Sequence, residues 1–159
     1  MKFLNRKEEI AKIKRLTDKP DPSFIVLYGR RRCGKSALLK QVLEKGDIYF
    51  QADMNDQKLQ LSGLSSEIGK TYKGFDQVIY PDWQSLLLNL EKYITNSGSK
   101  LILDEFPYLV KNSPELPSVI QRLLDSKQFT YHLIICGSSQ QMMHDIVLKK
   151  LSHSTEGLH

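Results

Sequence analysis

The sequence predicts an α/β protein: a mainly parallel sheet sandwiched between helices, three layers in all. Three observations carry that prediction. Short apolar runs alternate with longer amphipathic segments along the chain. The runs themselves, "FIVLY", "DIYFQA", "KLILDEF" and "YHLIICGSS", are continuous rather than alternating, as strands buried on both faces require. And the polar clusters follow those runs, where open parallel sheets bind their ligands. With 159 residues, 40% hydrophobic and 26% charged, the chain has the size and composition of one folded domain.

The elements follow in order. Asn5, with Glu8 three residues on, resembles a capping box, opening a helix to about Leu16 with Ile10 and Ile13 inward. "DKPDPS" breaks it, and Phe24 to Tyr28 form the first strand. After a glycine-bearing loop comes a helix with Leu38, Leu39, Val42 and Leu43 on one side, closed by Gly46. "DIYFQA" is a second strand, and residues 54–72 are helical with weak patterning. Trp83 to Asn96 is a clearer helix, with Leu86, Leu87, Leu90, Tyr93 and Ile94 on one face. "KLILDEF" is the third strand. Ser113 as cap and Pro114 at the first helical position open another helix through Leu124. "YHLIICGSS" is the fourth strand, and Gln140 to Leu151 a last helix.

Composition narrows the function. No apolar run approaches the ~20 residues of a membrane span, and the start, "MKFLNRKEEIAK", turns charged after Leu4, unlike a secretory signal. A cytoplasmic, membrane-free protein is expected. The net charge is +5, with basic residues concentrated near the start but interleaved with Glu8, Glu9 and Asp18. A solvated helix face accounts for this more economically than a nucleic-acid stripe. Cys33 and Cys136 lack a metal-ligand spacing and read as reduced thiols. Cys33, beside a helix start and basic residues, has the setting of an activated thiol, but a tolerated small residue is the simpler reading. His132, His144, His153 and His159 form no metal pattern.

Gly29-Arg30-Arg31-Arg32-Cys33-Gly34-Lys35-Ser36 satisfies G-x-x-x-x-G-K-[ST], with a hydrophobic strand before it and an amphipathic helix that starts near Gly34 after it, and the loop through Ala37 is the expected nucleotide-binding segment. Glycines let successive backbone N–H groups turn inward on phosphate oxygens, and the helix start adds its positive end. Lys35 reaches the β- and γ-phosphates, and Ser36 ligates Mg²⁺. The motif leaves Arg30, Arg31 and Arg32 free, to neutralise phosphate, to meet a neighbouring subunit or to be solvated. In "LILDEF", Asp104 is the candidate to hold the cation and Glu105 to polarise an attacking water. A solvated pair at a strand end is the plain alternative. Ser138 and Ser139 either contact the γ-phosphate or attacking water, or cap the next helix, and both readings can hold together.

Together these residues resemble the P-loop ATPases with an additional catalytic glutamate, more closely the archaeal-type ATPase family of the STAND group. The resemblance runs from "FLNRKEEI" at 3–10 through "YGRRRCGKSALL" at 28–39 and "LDEF" at 103–106 to "CGSS…M" at 136–143, nearly the whole chain. It implies ATP and Mg²⁺ as ligands, ATP rather than GTP, and a base-side role for Asn5 and Arg6. It implies residues 1–20 as an adenine-side helix and 21–159 as the nucleotide-binding core, with strand order 5-1-4-3-2. Members of the family continue into a fifth strand, a helical lid and a winged helix. The expectation is therefore a truncated P-loop core, incomplete at its C-terminal end, with "FIVLY" bare at the sheet edge. A homodimer or element swap would cover that edge.

The function expected is a Mg·ATP-binding, nucleotide-operated switch, hydrolytic in a full-length parent and weakly or not at all here. A DNA-associated protein using the basic loop is one alternative, with DNA contact expected only in the parent. A small-molecule kinase, which would not need Glu105, is another.

Overall fold

The computed structural model describes residues 6–19, 21–28, 34–95, 98–150 and 156–158. Among the described residues, five strands form one sheet: β1 (Phe24–Tyr28), β2 (Ile48–Gln51), β3 (Lys100–Asp104), β4 (His132–Gly137) and β5 (Glu156–Leu158). Their order is β2-β3-β4-β1-β5 and every pairing is parallel. The helices are α1 (Arg6–Thr17), α2 (Lys35–Gln41), α3 (Gln57–Thr71), α4 (Trp83–Tyr93), α5 (Phe106–Asn112), α6 (Leu116–Asp125) and α7 (Gln140–Lys150).

Alternation along the strands sorts the core into two layers. Ile25, Leu27, Ile102, Ile134 and Cys136 face α1 and α2, packing with Ile13, Leu38, Leu39 and Val42. Phe24, Val26, Ile48, Leu101, Leu103, Leu133 and Ile135 face the other way, onto Leu64, Trp83, Leu87, Leu109 and Ile120 among others. Both faces are covered, which is why the strands read as unbroken apolar runs. Helix starts follow local chemistry. Asp56 accepts from the Leu59 amide at 2.9 Å to cap α3, and Asp82 accepts from the Ser85 amide at 2.8 Å to cap α4.

Three expectations need correction. The place beside β1 is filled: β5 pairs across Ile25, Val26 and Leu27, so that edge is not bare over those residues. An open parallel edge offers N–H and C=O groups to any extended segment that returns to it, and three residues after α7 do so. Next, the chain turns straight from β3 into α5, a helix the sequence reading missed. Pro107 in its first turn was the local signal, since proline suits the start of a helix. Finally, Ser113 does not open α6. It ends α5, its amide bonding to the Leu109 carbonyl at 2.8 Å, and its hydroxyl accepts from the buried Trp83 indole N–H at 2.8 Å.

Candidate functional site

The site is assembled where β1, β3 and β4 end. Gly34 has φ 77° and ψ 15°, a left-handed conformation that costs an L side chain roughly 1–2 kcal/mol, so this position calls for glycine. It precedes α2, whose hydrogen-bond ladder begins with the Leu38 amide on the Gly34 carbonyl at 2.8 Å. The amides of Ser36 and Ala37 lie ahead of that ladder, directed out of the helix start. Ser36 Oγ donates to Asp104 Oδ2 at 3.0 Å. The two residues proposed from sequence as metal ligands, 68 positions apart, are in contact.

Asp104 is fully buried. A buried carboxylate is costly unless donors surround it, and they come from several elements. The Glu105 amide donates to Oδ1 at 2.8 Å and the Cys136 thiol to the same oxygen at 3.2 Å. The Tyr49 hydroxyl joins Ser36 on Oδ2. Burial first, then this bond to Asp104, pushes the Tyr49 phenol well above its ordinary range, so it remains a donor at neutral pH. Sequence reasoning missed Tyr49 and the Cys136 contact. The signal was alternation: Tyr49 pairs with Ile102, and Asp104 lies two residues further along the same face of β3.

Glu105 has φ 56° and ψ 43°, a left-handed backbone unusual for a side chain of this kind. This turn swings the chain from β3 into α5 and sets the Glu105 carboxylate above the strand ends. There Ser138 Oγ donates to Glu105 Oε2 at 3.1 Å. Beside the pair opens a cleft of ≈ 450 Å³ lined by Glu105, Pro107, Tyr108, Ser138, Ser139 and Met142. The two serines divide their tasks. Ser139 Oγ accepts from the Met142 amide at 3.3 Å, capping α7, whereas Ser138 meets Glu105. Gly137 is needed for close approach, because a Cβ there would lie 2.9 Å from both Met143 Sδ and Pro107 Cδ.

Of the other predicted residues, Asn5, Gly29, Arg30, Arg31, Arg32 and Cys33 lie outside the described residues. Arg6 opens α1 and Lys35 opens α2, described in backbone only.

Residues 3–156 match the model of an ATPase domain found predominantly in Archaea. The chain belongs to this ATPase family. An uncharacterized protein of Methanocaldococcus jannaschii is 35% identical over 149 residues, covering 92% of this chain and 32% of that protein. The ATPase domain thus spans about a third of the length of that relative. An uncharacterized ATP-binding protein of the same organism is 46% identical over 46 residues, 29% of this chain and 78% of that protein. Among solved structures, the Aeropyrum pernix Orc1 protein in complex with DNA superposes with TM-score 0.62 at 18% identity, covering 98% of this chain and 44% of that one. Cdc6p of Pyrobaculum aerophilum gives 0.58 at 14%, covering 99% and 46%. At these identities the likeness establishes the fold, that of a P-loop ATPase. Family and fold make the chain a nucleotide-binding module of ATPase type. No helix among the described residues is long and apolar enough to cross a membrane.

Proposed function

We propose that this ATPase domain binds Mg·ATP at the α2 start and works as a nucleotide-operated switch, hydrolysing slowly. The observation that carries the reading is the Ser36–Asp104 contact at 3.0 Å with Glu105 next in sequence. A serine hydroxyl and a carboxylate are hard oxygen donors, the kind that hold Mg²⁺ together with phosphate oxygens rather than in an all-protein cage. The residues present therefore fit the cation.

When bound, Mg²⁺ would neutralise charge on the phosphates and bridge them to the protein. The chain's own residues do the rest. The amides ahead of the α2 ladder and Lys35 take the phosphates, and Ser36 and Asp104 hold the cation side. Glu105 is the base that orients and deprotonates water. Ser138, donating to Glu105 Oε2 at 3.1 Å, orients that carboxylate for the task.

ATP at 100 times its dissociation constant should add about 2.7 kcal/mol to the unfolding free energy. For a domain of this size that raises Tm by about 5–10 °C. Lys35→Ala should abolish the shift, while Glu105→Gln should keep it and lose phosphate release. An unshifted wild type, or an undiminished shift in Lys35→Ala, would overturn the reading. Phosphate release in the absence of any acceptor separates it from a small-molecule kinase.

A further inference from the structure

Tyr49 belongs to no phosphate-loop motif, yet its hydroxyl reaches Asp104, one of the two side chains placed on the cation, at the oxygen that Ser36 also bonds. It donates to Asp104 Oδ2, the oxygen that also takes the Ser36 hydroxyl at 3.0 Å. Three elements thus meet at one oxygen: β2 through Tyr49, α2 through Ser36 and β3 through Asp104. The tyrosine ring packs on the cluster of Ile25, Leu38 and Ile102, and Lys40 Nζ lies 5.8 Å from its centroid. The ring is braced and its hydroxyl is aimed.

We infer that Tyr49 is a positioning residue for the cation site, fixing the Asp104 carboxylate and the Ser36 hydroxyl in the relative placement that a nucleotide-bound divalent ion requires. The inference rests on the Mg·ATP reading above. Oδ1 of Asp104 is held from its own strand end and from β4, by the Glu105 amide and the Cys136 thiol. Oδ2 is held by two hydroxyls of different character. Ser36 has to turn a lone pair toward the cation. Tyr49 has no such duty, so its bond fixes the carboxylate plane through that change. Groups that orient a metal ligand in this way typically contribute 10–100-fold to metal affinity. A group that only satisfies a buried carboxylate would affect stability with and without metal alike, which is the distinction to test.

The full chain with Tyr49→Phe, which deletes the hydroxyl and keeps the ring, is melted at saturating ATP across a Mg²⁺ titration, and again with ATP in EDTA. The Mg²⁺ midpoint of the thermal shift should rise about tenfold, with the metal-free ATP response unchanged. Tyr49→Met, a flexible filler that also lacks a donor, should raise it in the same way and covers the case in which Tyr49→Phe does not fold. A midpoint within twofold of wild type in either folded variant overturns the inference, as does an equal loss with and without Mg²⁺. If wild type shows an ATP shift that ignores Mg²⁺, or none, the Mg·ATP reading itself fails and the inference falls with it.

Discussion

Two buried aspartates, at opposite ends of the sheet, are held by different kinds of partner. At the N-terminal ends of the strands, Asp47 Oδ2 accepts from Lys100 Nζ at 2.8 Å and from the Glu44 amide at 2.8 Å, and its Oδ1 accepts from the Lys100 amide at 2.8 Å. Both side chains are almost wholly buried. At the C-terminal ends, Asp104 is held by the hydroxyls of Ser36 and Tyr49, the Cys136 thiol and the Glu105 amide. A covalently fixed cation and backbone amides make a permanent contact. Hydroxyl protons rotate, and a hydroxyl that donates to Asp104 can offer its lone pair to a cation at the same time. One end is built to stay as it is, the other to take up a ligand.

The largest expected effect tests the permanent end. Asp47→Ala leaves Lys100 buried without its carboxylate, which should cost about 3–5 kcal/mol in urea unfolding. A loss below about 1 kcal/mol would show that water reaches Lys100 and that the two ends are less different than described. Next comes Gly137→Ala, at the ligand end. The new Cβ would press on Met143 Sδ and Pro107 Cδ at 2.9 Å, an overpacking worth about 1–3 kcal/mol. Because Met143 is one of the two neighbours pressed, Gly137→Ala should cost less in a Met143→Ala background than in the wild type, a coupling read from a double-mutant cycle. Simple additivity would mean that Pro107 Cδ, not the sulfur, sets the limit.

The smallest effect is a pH dependence at the permanent end. His132 is buried there, its Nδ1 accepting from the Ser23 amide at 2.8 Å. Burial first, then the Lys100 charge, lowers its pKa from the ordinary 6.5. Below that value the unfolded chain binds a proton that the folded chain resists, so stability should fall as pH drops from neutrality through 6.5, by at most ~1.4 kcal/mol per pH unit. His132→Asn retains an acceptor for Ser23 and should flatten that slope in melts between pH 5 and 7. An unchanged slope would assign the acid sensitivity to other groups.

Much of the site was legible because its chemistry is local in sequence. A G-K-S at the start of a helix and an Asp-Glu at the end of an apolar run need only a few neighbouring residues to be recognised. Helix α5 was obscured by the strand it follows without a loop, Glu105 absorbing the turn in a left-handed conformation that sequence patterns do not report. A helix cap by one of the two serines was foreseen and Ser139 supplies it, whereas the bond of Ser138 to Glu105 was not, because it depends on the reach of Glu105 from another strand.

By itself the sequence determined the α/β class and, through its family resemblance, the order of the first four strands, and it singled out Ser36, Asp104 and Glu105 as candidates for one site. These follow from periodicity and short motifs, which act over a turn of helix or a strand length. Only the tertiary structure decided that β5 pairs with β1, that Ser113 receives the Trp83 indole, and that Tyr49 and Cys136 meet Asp104. Each of those contacts depends on strand register and on the meeting of elements far apart in the chain. No local pattern encodes that, because register is fixed by the whole sheet at once.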